Sequence, residues 1–181
     1  DKDLALVSDY EFTGNDADIN STILDGNHQS SVIYSLGETD NIINTYISGF
    51  VIQNGSGYLV TSTNHRYGGG IRSKKTNLHL NKNIIQYNSS TTGGGVYASS
   101  YNNTLLTSNT IKYNQACLYG GGICVSTPAI FDENLLNNIY LNFASTGNDI
   151  VGFEEALPLH VIVDTFTVID PDFYFIYVHQ E

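Results

Sequence analysis

Three glycine triplets recur along the chain: Gly68-Gly69-Gly70-Ile71, Gly93-Gly94-Gly95-Val96 and Gly120-Gly121-Gly122-Ile123, beginning 25 and then 27 residues apart. Glycine loses more backbone entropy on folding than any other residue, so a run of three is costly. A costly feature at a near-constant interval marks a repeating structural unit. A second marker, Asn-x-Ile-x-x-Asn, keeps step with it. It reads Asn83, Ile85, Asn88, then Asn109, Ile111, Asn114, then Asn137, Ile139, Asn142, at intervals of 26 and 28 residues. A looser earlier copy is "SGFVIQNG", with Phe50, Ile52 and Asn54.

The unit reads as extended chain. Gly, Asn, Thr, Ser and Tyr dominate it, and no long window repeats apolar residues at helical spacing. Short period-two fragments do occur, such as Leu78/Leu80, Phe50/Ile52 and Val161/Val163, broken by Gly, Asn and Ser. This period, with about three short strands per turn, predicts an all-β parallel β-helix, a solenoid in which successive coils stack at roughly 4.8 Å and close a shared core. Ile71, Val96 and Ile123 then form one buried column, and Ile85, Ile111 and Ile139 another. The glycines serve tight corners and close stacking, and the asparagines take left-handed corners or form side-chain ladders along the axis. A phosphate loop is excluded, because no Gly-Lys-Ser/Thr follows any triplet.

The pattern "GGGI…NxIxxN…GGGV", preceded by "STILDGNHQSSVI…ISGFVIQNG", resembles the secreted right-handed parallel β-helix repeat proteins of the pectate-lyase-like superfamily. The resemblance covers residues 19–150, and "LALVSD" (residues 4–9) looks like an earlier rung. It implies about six to seven coils, with a β-helix over residues 1–152 and a separate C-terminal strand segment over 153–181. That tail offers two apolar strands, near 159–169 and 173–178, as a cap or a hairpin. The fold alone assigns no activity, since it carries lyases, hydrolases, adhesins and tail fibres alike.

Charge is segregated within a net −11. Residues 1–40, 41–131 and 132–181 carry −8, +6 and −9, and the middle segment holds no Asp or Glu. Nucleic acid is an unsuitable partner for such a chain. No apolar run reaches 18 residues, so no membrane span is expected. The absence of methionine, even at position 1, suggests a processed, extracellular or cell-surface protein. Cys117 and Cys124 flank the third triplet and either pair as a disulfide or stay as thiols.

The resemblance implies a polysaccharide lyase or hydrolase, but the family's clustered Asp, Gly-His-Gly and Arg-Ile-Lys segments are missing. The central coils also lack the carboxylates that glycoside hydrolysis requires. The five histidines make no metal-like spacing, and no catalytic residue is assigned. In "NDADIN", Asp16, Asp18 and Asn20 alternate as the start of a calcium loop does, although Ser21 and Asn27 break the rest of that pattern; Ca2+ is the one cofactor considered. Aligning the triplets puts Arg72, Tyr97 and Cys124 in one column, so Arg66, Arg72, Tyr97 and Tyr101 are candidates for an exposed surface that binds a polysaccharide or a protein. The first rung has no visible cap, and the strand Phe173, Tyr174, Phe175, Ile176, Tyr177 is apolar on both faces. The expectation is a non-catalytic extracellular structural protein that self-assembles through its ends into a filament or surface layer. A carbohydrate-binding or adhesin module is the first alternative, and a polysaccharide lyase or hydrolase the second.

Overall fold

The short extended segments form strands, and the chain lays them down in a fixed order. The structure, a computed structural model, describes residues 2–38, 42–100, 103–126, 128–153, 159 and 161–166. A first circuit runs through β1 (Leu4–Val7), two short helices, α1 (Tyr10–Thr13) and α2 (Asp16–Ser21), then β2 (Ile23–Asp25) and β3 (Ile33–Leu36). The second comprises β4 (Ile43–Ser48), β5 (Val51–Gln53), β6 (Tyr58–Val60), β7 (His65–Tyr67) and β8 (Ile71–Lys74). The third is β9 (Thr76–Asn81), β10 (Ile84–Gln86), β11 (Ser89–Thr92) and β12 (Val96–Ser99); the fourth is β13 (Thr104–Thr107), β14 (Thr110–Lys112), β15 (Gln115–Tyr119) and β16 (Ile123–Ser126). A fifth follows with β17 (Ala129–Phe131), β18 (Asn137–Tyr140) and β19 (Ile150–Gly152), and β20 (Val163–Phe166) comes last.

Like strands of successive circuits pair into four sheets. Sheet A is β1, β4, β9, β13, β17; sheet B is β2, β5, β10, β14, β18, β20; sheet C is β3, β8, β12, β16, β19; sheet D is β6, β7, β11, β15. Pairing is parallel throughout, except in the β6–β7 hairpin. The fold is all-β, built of stacked parallel sheets and compatible with a β-helix. The expected three strands per turn become four in the third and fourth circuits. The polar stretches Ser89–Thr92 and Gln115–Tyr119, just before the triplets, are themselves extended. β20 continues sheet B by pairing in parallel with β18.

The two expected apolar columns are present. Leu24, Ile52, Ile85, Ile111 and Ile139 are in register on sheet B, and Ile33, Ile71, Val96, Ile123 and Ile150 on sheet C. Sheet A adds Leu6, Ile47, Leu80, Leu106 and Phe131. These side chains meet in one core.

Two asparagine ladders run beside that core, and all six amides are buried. In one, Asn83 Nδ2 donates to Ile47 O (2.9 Å) of the previous circuit and to Asn109 Oδ1 (3.2 Å) of the next; Asn109 does the same to Leu80 O (2.8 Å) and Asn137 Oδ1 (3.0 Å). The other links Asn88 to Asn114 and Asn114 to Asn142, each at 3.0 Å. The Oδ1 atoms of Asn109, Asn114, Asn137 and Asn142 also accept the backbone N–H of the preceding rung's asparagine, and those of Asn83 and Asn88 accept from Phe50 N and Gly55 N. The ladder asparagines do not take the left-handed corner themselves. For five of the six the residue before does: Lys82, Tyr87, Ser108, Tyr113 and Leu141 have φ between 53° and 55°.

The triplets serve this ladder. Only the first glycine of each is left-handed, at φ 61°, 68° and 62° for Gly68, Gly93 and Gly120. A Cβ on the second would collide with backbone of the next circuit, 2.4 Å from Gly121 O in the case of Gly94. A Cβ on the third would strike the next circuit's ladder amide: 2.9 Å from Asn88 Nδ2 at Gly70 and from Asn142 Nδ2 at Gly122. A degenerate fourth copy, Gly147-Asn148-Asp149-Ile150, shows how the ladder ends. Asp149, buried, stands in register where a third glycine would, and its own Oδ1 accepts from Asn142 N (3.2 Å) and Nδ2 (2.8 Å). A carboxylate that only accepts is suited to a final rung, since it needs no further acceptor.

Replacing Asn114 by Ala strips partners from Asn88 N–H, Asn88 Nδ2 and Ile85 O in the buried interior. Urea unfolding is expected to show a loss on the order of 3 kcal/mol or more. Gly94→Ala is expected to be comparably harmful through its backbone clash. Gly14→Ala, left-handed at φ 67° but with nothing within 4 Å of a new Cβ, should cost only about 1 kcal/mol. Equal costs for Asn114→Ala and Gly14→Ala would contradict the ladder's structural role.

Candidate ligand-binding cleft

Alternation along a strand turns the neighbours of the inward sheet C column outward. Tyr34, Arg72, Tyr97, Cys124 and Val151 are in register there, as the aligned triplets predict for Arg72, Tyr97 and Cys124. The column is not the exposed surface expected. Arg72 is 6% exposed and Cys124 fully buried. The cover over Arg72 is the β6–β7 hairpin, which pairs Tyr58 with Tyr67. The Arg72 guanidinium carbon lies 4.6 Å from the ring centre of Tyr58, 5.0 Å from Tyr34 and 5.5 Å from Tyr67. Tyr34 packs on Tyr58 at 4.7 Å, and Tyr67 on Tyr97 at 4.9 Å.

A cleft of about 330 Å³ opens beside this cluster, lined by Val60, Tyr67, Arg72, Lys74, Tyr97, Ser99, Ser100 and Ser126. Among the described residues, no carboxylate lines it. Burial holds the Tyr97 phenol above its ordinary pKa, so at neutral pH it is a protonated group. The lining offers cations, hydroxyls and aromatic faces, a set suited to holding a polar ring. Sequence reasoning missed Tyr34, Tyr58 and Tyr67 as partners of Arg72. A signal was available: the stretch from Gly55 to Gly68 is much longer than those from Asn88 to Gly93 and from Asn114 to Gly120, which leaves room for a hairpin.

The other candidates fall elsewhere. Arg66 serves the hairpin, with Nη1 donating to Gly57 O (2.9 Å) and Ser56 Oγ (3.3 Å). Tyr101 and the strand Phe173 to Tyr177 lie outside the described residues. The "NDADIN" segment is a helix, α2, rather than a calcium loop. Asn15 caps it by accepting from Ala17 N (3.1 Å). On a helix, residues two apart diverge: Asp16 meets Lys82 Nζ at 3.4 Å, Asp18 accepts from the Thr13 hydroxyl, and Asn20 donates to Asp16 O. Among the described residues, no three His, Cys, Asp or Glu side chains gather as a metal site.

A second, larger cleft of about 630 Å³ lies on the outer face of sheet A, bordered by Asn44, Tyr46, Asn77, His79, Leu105 and Ile130 among others. Beside it, Glu11 accepts hydrogen bonds from Ser48, Tyr46 and Asn81, which hold its carboxyl below the ordinary range, while burial lowers the His79 pKa. These donors are already mutually satisfied, which gives the network a tethering role for the α1 turn.

The cysteines are unpaired. Cys117 is exposed on β15 and Cys124 buried on β16, placed on different sheets by the glycine corner. Burial pushes the Cys124 thiol far up, away from thiolate. Treatment with a thiol reagent at pH 8 should label Cys117 alone in the folded protein and Cys124 only after denaturation. No labelling before reduction would instead establish the disulfide.

Comparison of the chain with protein-family profiles, with curated proteins and with solved structures returns no match.

Proposed function

We propose that this chain is a right-handed parallel β-helix solenoid that works outside the cell as a non-catalytic saccharide-binding module. One observation carries the reading: a cleft on sheet C lined by Tyr67, Tyr97, Arg72, Lys74 and serines, with no carboxylate among the described residues that line it. Aromatic faces stack on sugar rings, and cations and hydroxyls orient their polar groups. The regular register of four sheets and the resemblance of the glycine and asparagine repeats support the solenoid, and the resemblance alone suggests the extracellular setting. A polysaccharide array is the test. The protein is expected to be retained on a defined subset of glycans and to release no reducing or unsaturated ends. Tyr67→Ala should weaken retention at least tenfold with the circular dichroism spectrum unchanged. Retention on no glycan, or steady cleavage, would reject this function.

A second reading, self-assembly, rests on a separate observation. Among the described residues, β1, β2 and β3 are all edge strands at the same end of their sheets, and they leave Leu4, Ile23 and Leu36 exposed at 57%, 52% and 53%. Open edges pair with further strands, and the apolar segment Phe173 to Tyr177 is a fitting donor. Sedimentation of the full chain should then show concentration-dependent association that deletion of residues 171–181 abolishes. A monomer at every concentration would end this reading.

A further inference from the structure

We infer that the sheet C cleft recognises an oxyanion, the carboxylate or sulfate ester of a saccharide, with Arg72 and Lys74 as its charged partners. The inference rests on the saccharide-binding reading and adds the charge of the ligand. It starts from a side chain whose surroundings do not account for it. Arg72 is 6% exposed, yet among the described residues its Nε and Nη1 have no hydrogen-bond partner. Burying a guanidinium without an anion is unfavourable, and an apolar side chain of similar volume fills such a place more readily. The rings of Tyr34, Tyr58 and Tyr67 compensate in part by facing the cation. They do not supply the in-plane acceptors that a guanidinium uses.

The surroundings have the same sign. Lys74 stands two residues further along β8, also on the cleft, and Ser99 and Ser126 follow it in register on the next two strands. Among the described residues, the one salt bridge joins Lys82 to Asp16, on other elements. In a chain of net charge −11, the acids are gathered in the terminal thirds and the cations in the middle. Among the described residues, the cleft therefore combines two cations, serine hydroxyls and the Tyr97 phenol with no acid in its lining, which is complementary to a negatively charged group on a ring-bearing ligand.

The experiment pairs charged and neutral forms of the same sugar chain: an oligoglucuronate and its methyl ester, and a dextran sulfate oligosaccharide and plain dextran. Titration calorimetry on the full chain at low and at raised salt compares each pair. At least one charged form should bind tenfold or more tightly than its neutral twin, and salt should erode that advantage. The pair that shows it identifies the carboxylate or the sulfate as the recognised group. Lys74→Gln, on a partly exposed site, should reduce the preference several-fold without shifting the thermal midpoint. Arg72→Met should abolish it; if that variant does not fold, the charged and neutral twins on the unaltered chain and on Lys74→Gln decide the matter. Neutral twins that bind as well as charged ones overturn the oxyanion and leave the saccharide reading standing. No binding of any of the four overturns the oxyanion, and the glycan array then decides the saccharide reading. A folded Arg72→Met protein that keeps the full preference makes Arg72 only a clamp for the hairpin, and overturns its assignment.

Discussion

A buried primary amide that must be satisfied in three directions governs the architecture. Asn83, Asn88, Asn109 and Asn114 each donate backwards to a carbonyl and forwards to the next asparagine, and accept from the rung behind. Asparagine is the side chain that can do this at short reach, because it has a donor and an acceptor on one planar group. Aspartate lacks the donor, and the structure uses it only where the second ladder ends, at Asp149. Burial of these amides is unfavourable unless every bond is made, so a circuit displaced by one residue leaves several unmet at once. The apolar columns alone do not impose that register, since Ile, Leu and Val are interchangeable to first order.

The glycine triplets and the asparagine repeat are therefore one device. The third glycine of each triplet leaves the space that the next circuit's amide fills, and the second lets the backbones stack there. The conformational cost falls on the residue before the asparagine. Tyr87 and Tyr113, both left-handed, recover part of it by stacking on each other at 5.3 Å with nearly parallel rings.

The repeat was legible because stacked circuits force like residues into columns, so spacing alone brought Arg72, Tyr97 and Cys124 together. What spacing does not convey is what lies over a column. Arg72 was expected in solvent and is buried, because an antiparallel hairpin inserted in one circuit alone folds across it. The alternation of Asp16, Asp18 and Asn20 misled for a related reason: polar residues two apart suit a calcium loop and a capped helix start equally, and Asn15 decides for the helix by taking the Ala17 amide. Of the two states left open for the cysteines, the structure has the thiols, because the corner between Cys117 and Cys124 puts them on different sheets. The two helices after β1 carried no helical periodicity long enough to register, at four and six residues.

A repeat this strict leaves function to whatever departs from it, and the sheet D hairpin that shelters Arg72 is the clearest departure beside sheet C. The central physical claim remains the ladder, and side-chain amide exchange tests it most directly. In a folded, isotopically labelled sample, the Nδ2 protons of Asn83, Asn88, Asn109, Asn114, Asn137 and Asn142 should give dispersed resonances that exchange with solvent far more slowly than those of exposed asparagines such as Asn27 and Asn44. Six fast-exchanging amides, indistinguishable from the exposed ones, would contradict the account.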